Sequence, residues 1–264
     1  MDLTCKACPK IALNQNFNIK LEDDNELVVA LAGNPNVGKS TVFNALTGLN
    51  QHTGNWPGKT VSNARGNYNY KDKKFILVDL PGTYSLLANS VEEQVARDFI
   101  CFGKPDTTII VTDATCLERN LNIVLQIMEL TDKVVLCVNL MDEAKRKGIL
   151  VDIKKLEEEL GIPVVATIAR KGKGLNELMS KTYNIALGLE TTSPKQIEYP
   201  KIVEDKIDKI SKELRGISKN KLNTRWIALR LLEGDATMLE SICKFVLDRE
   251  DKYKGEGTCI YGCW

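Results

Sequence analysis

Apolar runs of strand length recur along the first two thirds of the chain, near 27–32, 74–80, 107–113, 133–139 and 162–167, with a more polar strand near 66–71. Helical stretches near 39–47, 90–101, 117–130, 152–160 and 174–187 fall between them. Unbroken apolar runs suit strands covered on both faces, and their alternation with helices predicts a doubly wound α/β sheet of six strands, mostly parallel. Lys71-Asp72-Lys73 is too short a connection for a crossover, so the strands around it form a hairpin and one edge is antiparallel. Beyond Gly188-Leu189-Glu190-Thr191-Thr192-Ser193-Pro194, a linker by composition, Val203, Ile207, Ile210 and Leu214 recur at helical spacing, as do the apolar positions of 226–232 and 238–246. These predict a small all-helical subdomain over 195–250 behind an α/β domain over 27–187, with terminal extensions at 1–26 and 251–264.

Candidate chemistry sits at the ends of the strands. Gly33-Asn34-Pro35-Asn36-Val37-Gly38-Lys39-Ser40-Thr41 follows the first run and fits G-x-x-x-x-G-K-[ST]. Gly33 and Gly38 let backbone N–H groups approach phosphate oxygens, Lys39 supplies a positive charge toward the outer phosphates, and Ser40 offers a hydroxyl to Mg²⁺. Asp79-Leu80-Pro81-Gly82 ends the 74–80 run, where open α/β sheets bind ligands. Asp79 is placed to reach Mg²⁺ through water, and the N–H of Gly82 to sense a γ-phosphate.

Asn139-Leu140-Met141-Asp142 ends the 133–139 run. A carboxylate accepts from both N1–H and the exocyclic amine of guanine, a donor pair adenine lacks, so Asp142 argues for GTP and GDP over adenine nucleotides. Asn139 would tie this loop to the glycine-rich one. In Thr167-Ile168-Ala169, Ala169 fits the turn whose N–H meets the guanine carbonyl; Ile168 stands where a serine is usual, and without that hydroxyl altered base affinity is expected. Together with the antiparallel edge, these motifs predict a Ras-like P-loop GTPase fold.

Residues 50–62 are polar and turn-rich, and read as a mobile loop that brings a threonine to Mg²⁺ when the γ-phosphate is present. Thr60, after Gly58 and Lys59, is the chosen threonine, with Thr53 a poor second. Asn-Pro-Asn-x-Gly-Lys-Ser, then Gly54-Asn55-Trp56-Pro57-Gly58-x-Thr60-Val61, then Asp79-Leu80-Pro81-Gly82-x-Tyr84-Ser85-Leu86 together resemble the cytosolic G domain of the FeoB ferrous iron transporter family. The resemblance implies a potassium-activated mechanism in which Asn36 helps hold K⁺ beside the phosphates. It also implies a helical domain after the G domain, a membrane permease portion in the same or a separate chain, and a place at the cytoplasmic face of the cell membrane. Lys59 and Ser62 depart from the family's usual valine and glutamate. Thr83 stands where related GTPases carry a catalytic glutamine, so slow turnover is expected.

Thirty-six basic against 35 acidic residues give a formal net charge of +1, which offers no general steering toward nucleic acid. No apolar stretch approaches the ~18 residues that span a bilayer, so the segment itself is expected to be soluble. His52, the one histidine, reads as a solvated loop residue. Cys101, Cys116, Cys137 and Cys243 lie in apolar or helical contexts and are expected to be buried. Cys5-Lys6-Ala7-Cys8 and the C-x₃-C ending at Cys263 are candidate metal or redox pairs. A small cytosolic regulator and a homo-oligomer are left open as partners. Two other readings stay open, a free-standing ribosome-assembly-type GTPase and a nucleotide-gated interaction switch with negligible turnover.

Overall fold

The computed structural model describes residues 17, 19, 21, 25–48, 51–87, 89–218 and 223–246. Both terminal cysteine pairs lie outside this set. Seven strands form one sheet: β1 (Glu26–Gly33), β2 (Gln51–Asn55), β3 (Ser62–Tyr70), β4 (Lys73–Asp79), β5 (Thr107–Asp113), β6 (Val134–Asn139) and β7 (Val164–Ala166), in the order β2-β3-β4-β1-β5-β6-β7. Strands β4, β1, β5, β6 and β7 are parallel, and β3 runs antiparallel to both of its neighbours, β4 and β2.

The expected count of six strands is corrected by β2. Residues 51–55, read from sequence as part of a mobile loop, pair with β3 from Gln51↔Gly66 to Asn55↔Ser62. An edge strand of this kind is held by backbone bonds and needs no apolar alternation, so its polar sequence hid it.

Central strands show why unbroken apolar runs were informative. Every residue of β1 and of β6 is buried, as parallel strands covered on both faces require. One face packs Leu27, Val29, Leu31, Phe75, Leu77, Ile109 and Val111 against Val42, Phe43 and Leu46 of α1 (Lys39–Thr47) and Leu178 and Met179 of α6 (Leu175–Ala186). On the other, α3 (Leu117–Leu130) packs against β5 and β1 and buries Ile123, Val124 and Ile127. Helix α2 (Val91–Asp98) starts on Ser90, whose hydroxyl accepts from Glu93 N at 3.1 Å while Glu93 Oε2 reaches back to Asn89 N at 2.9 Å. It runs into a π-helical turn, Phe99–Gly103, in which every residue is buried. Two short helices follow β6: α4 (Met141–Arg146), and α5 (Ile153–Leu160), capped by Asp152 and ended by left-handed Gly161.

The chain divides into two compact units between Tyr199 and Pro200. Residues 190–199 hydrogen-bond within the first unit: Ser193 N to Gly161 O at 3.0 Å, Lys195 N to Leu160 O at 3.0 Å and Tyr199 Oη to Glu129 at 2.9 Å. The second unit holds α7 (Lys201–Ser218), α8 (Thr224–Leu232) and α9 (Ala236–Val246), with Ile207, Trp226, Ile227, Leu229 and Met238 buried. Arg225 pairs with Glu204, and Ser211 Oγ donates to Thr224 O at 3.2 Å, joining α7 to α8. No helix among the described residues is long and apolar enough to cross a membrane.

Cys101 and Cys137 are buried, and burial pushes each thiol up to about 12. Cys116 corrects the expectation of burial: it is exposed, at the residue before α3. The side chain of Cys243 lies outside the described set, as does that of His52.

Candidate functional site

Parallel strands bring Gly33, Asp79, Asn139 and the residues after β7 to one edge, because all of these strands end in the same direction. The loop after β1 is tight. Gly38 has φ +83°, and a Cβ there would stand 2.4 Å from Asn139 Nδ2, so both the backbone conformation and the space require glycine. Asn36 also takes a left-handed conformation, φ +66°, which asparagine tolerates better than most residues, and its side chain is exposed. Asn34 is 2 % exposed, and its Oδ1 has no hydrogen-bond partner among the described residues. Beyond Gly38, α1 opens with Lys39, Ser40 and Thr41, so the unpaired N–H groups of its first turn face the loop.

The loop after β4 lies directly on this one. Thr83 N donates to Gly33 O at 3.2 Å, and a Cβ on Gly82 would meet Pro35 Cα and N at 3.2 Å. Lys39 turns inward: its ammonium donates to Leu80 O and forms an ion pair with Asp79. Burial raises the Asp79 carboxyl above its usual value, and the Lys39 charge opposes that rise without cancelling it. Lys39 and Asp79 therefore satisfy each other where the two loops meet.

Asn139 organises the opposite side. Fully buried at the end of β6, it donates Nδ2 to Val37 O at 3.2 Å and accepts at Oδ1 from Ala169 N and Thr167 Oγ1, both at 3.1 Å. One side chain thus joins the glycine-rich loop to the turn after β7. The turn does not lack a hydroxyl: Thr167 supplies it one residue before Ile168, which is half-buried.

Leu140, left-handed at φ +61°, starts α4 and places Asp142 in its first turn. Arg170 grips Asp142 Oδ2 through Nη2 at 2.8 Å and Nε at 3.2 Å, and Lys171 lies 3.4 Å away. These cations, the Arg170 bond first, hold the Asp142 carboxyl below the ordinary value, and the same bond raises Arg170. Arg170 and Lys171 were not singled out from the sequence. Their signal was available: two cations directly after Ala169, in the turn that adjoins the Asp142 loop.

Thr60 is exposed, in a turn closed by Trp56 N to Val61 O at 2.9 Å and Lys59 N to Trp56 O at 3.0 Å, with Gly58 at φ +68°. Lys59 Nζ donates to Gln94 Oε1 of α2 at 3.2 Å. Ser40 is also exposed, and no hydrogen bond joins it to Thr60 or Asp79 among the described residues. Those residues hold no cluster of three His, Cys, Asp or Glu side chains suited to a metal.

A mixed sheet of this order, a glycine-lined loop between its first strand and helix, and Asn-x-x-Asp behind β6 define a P-loop G domain. A family model described as "Ferrous iron transport protein B" matches residues 27–182, and one described as "FeoB cytosolic helical domain" matches 199–254. The chain belongs to the ferrous iron transport protein B family, as its G domain and cytosolic helical domain. It is 47% identical over 215 residues to the Fe(2+) transporter FeoB of Methanocaldococcus jannaschii, covering 81% of this chain and 32% of that protein. To the Fe(2+) transport protein A/Fe(2+) transporter FeoB fusion protein of Porphyromonas gingivalis it is 39% identical over 214 residues, 80% of this chain and 25% of that protein. It thus spans about a quarter to a third of the curated relatives' length. The cytosolic domain of the T. maritima FeoB iron transporter in its GMPPNP form superposes with a TM-score of 0.75 at 42% identity, over 83% of this chain and 86% of that one. Its apo form gives the same score at 41% identity and the same coverage.

Proposed function

We propose that this chain binds GTP and GDP and hydrolyses GTP slowly, as the regulatory G domain of a ferrous iron uptake transporter. The observation that carries the reading is the Asn139 network, which ties the glycine-rich loop to the base turn beside Asp142, itself kept ionised by Arg170 and Lys171. Related cytosolic domains solved in GDP and GMPPNP forms support the choice of nucleotide.

Residues 33–41 would cradle the phosphates, with Lys39 leaving Asp79 for the outer ones and the Gly82 N–H, beside Leu80 and Pro81, facing the γ-phosphate. Ser40, Thr60 and Asp79 would hold Mg²⁺, Asn36 K⁺, and Gly58 and Lys59 would carry the Thr60 loop. The buried, unpartnered Asn34 Oδ1 and the exposed Ser40 and Thr60 hydroxyls are the oxygen donors that such hard cations take. Once bound, these ions neutralise charge on the β and γ phosphates. Leu140, Met141 and Asp142 would frame one edge of guanine, and Thr167, Ile168 and Ala169 the carbonyl side. Thr83 is buried and spends its N–H on Gly33 O, so no side chain at that position orients water, which favours slow turnover. The partners are a membrane permease portion, on whose cytoplasmic side this unit would work, and a small regulator, for which the protein A fusion in one relative is the precedent.

Fluorescent GDP and ADP titrations of the wild type and Asp142→Asn test the base assignment. GDP is expected to bind far more tightly than ADP. The amide variant should lose GDP and gain xanthosine diphosphate, whose 2-carbonyl accepts from an amide. Equal ADP and GDP affinity would overturn it. GTP turnover no faster in KCl than in NaCl would overturn the potassium role of Asn36.

A further inference from the structure

Phe17 lies ahead of the part of the chain that the family model matches, which begins at residue 27. It is nevertheless 5 % exposed, and Ile19 is 2 % exposed. Its ring meets Trp56 edge-on at 6.2 Å and Phe99 at 5.2 Å, and Trp56 meets Phe99 at 5.3 Å, so the three rings close on one another. Trp56 belongs to the turn that carries Thr60, and Phe99 begins the π-helical turn at the end of α2. Arg65 Nη2 of β3 donates to Phe17 O at 2.6 Å, and a Cβ on Gly103 would come within 3.3 Å of the Phe17 ring. Phe17 is thus held by its backbone carbonyl as well as by its ring.

Trp56 is 2 % exposed, yet its indole Nε1 has no hydrogen-bond partner among the described residues. A buried N–H without an acceptor opposes burial, so ring packing must hold Trp56 in place. Phe17 supplies one side of that packing from outside the matched domain.

We infer that Phe17 is a positioning residue: it clamps the Trp56 turn against the end of α2 and sets where Thr60 stands. The turn it holds carries Thr60, a Mg²⁺ ligand in the function proposed above, and the kinetic half of the test rests on that reading. The exchange half does not. The clamp bears on the turn that carries Thr60, at the γ-phosphate end that GDP lacks in the function proposed above, so it acts on turnover and spares GDP binding.

Hydrogen exchange of the full chain with Phe17→Ala reads the clamp directly. The hydrogen-bonded amides of Trp56 and Lys59 and those of 95–103 are expected to exchange at least tenfold faster, together, while those of β1 and β6 stay within twofold. Faster exchange in only one segment, or in neither, would overturn the inference. In GTP turnover, kcat should fall severalfold at unchanged KM, GDP affinity should stay within twofold, and Phe17→Leu, which keeps apolar volume, should restore most of kcat. A parallel loss of GDP affinity would mark general destabilisation and overturn the positioning role. A wild type without GTP turnover would remove the hydrolysis reading and leave the exchange result to decide the clamp.

Discussion

Replacing Asn139 with alanine removes three hydrogen bonds from a residue only 1 % exposed: to Val37 O, from Ala169 N and from Thr167 Oγ1. Each buried hydrogen bond contributes about 1 kcal/mol net, and each polar group left unpaired in the interior costs about 1–3 kcal/mol. Val37 and Ala169 are themselves buried, so their freed backbone groups gain little from water. The expected loss is about 3–5 kcal/mol, a large part of the roughly 5–15 kcal/mol that holds a domain together. Urea unfolding of the nucleotide-free chain, followed by far-UV circular dichroism, reads this as a midpoint lowered by about 1 M or more for an m-value of about 3 kcal/mol/M. A cycle with Thr167→Val should show coupling of about 1 kcal/mol, because the two side chains share one bond. A loss under about 1 kcal/mol at unchanged m would refute the view that one side chain carries the junction between the two loops.

Gly66→Ala would set a Cβ 2.5 Å from Thr47 Cγ2 and 2.6 Å from Thr47 Cβ, so the variant should lose about 1–3 kcal/mol in thermal unfolding. Cys137 and Cys101, buried and with thiols raised to about 12, should stay unmodified by iodoacetamide at pH 8 in the folded chain, whereas exposed Cys116 reacts, more slowly than a free thiol because partial burial and Asp113 raise it as well; peptide mass spectrometry reads each site. Because Arg170 lowers the folded-state value of the Asp142 carboxyl, its stabilising ionisation is complete above the unfolded value near 3.8 and is lost only as pH falls through the lower folded value. GDP affinity should therefore show no Asp142 titration between pH 8 and pH 5, as binding at both ends of that range would reveal.

Legibility followed burial. Strands β1 and β6 announced themselves because a strand buried on both faces must be apolar throughout, and Gly33, Asp79 and Asn139 could be placed because each motif follows such a run. Helix α4 escaped notice because six residues beginning from a left-handed leucine leave no room for an amphipathic period. The β2 ladder escaped because its pairing is written in backbone groups. Arg170 and Lys171 were visible as charges, but their grip on Asp142 depends on how two turns face each other, and spacing along one chain does not encode that. The Thr167 hydroxyl was misjudged for a related reason: a serine was sought at 168, while the fold accepts the same group from the neighbouring position.

The ladder from Gln51 to Asn55 also changes what nucleotide binding costs. Had 50–62 been a free tether, ordering it would forfeit about 1–2 kcal/mol of backbone entropy per residue. With five residues already zipped to β3, and with the Trp56 and Val61 backbones bonded to each other, most of that entropy is surrendered when the chain folds. Tight nucleotide affinity is then easier to reach. A large excursion of Thr60 would have to unzip a sheet margin rung by rung, from the Asn55–Ser62 pair outward.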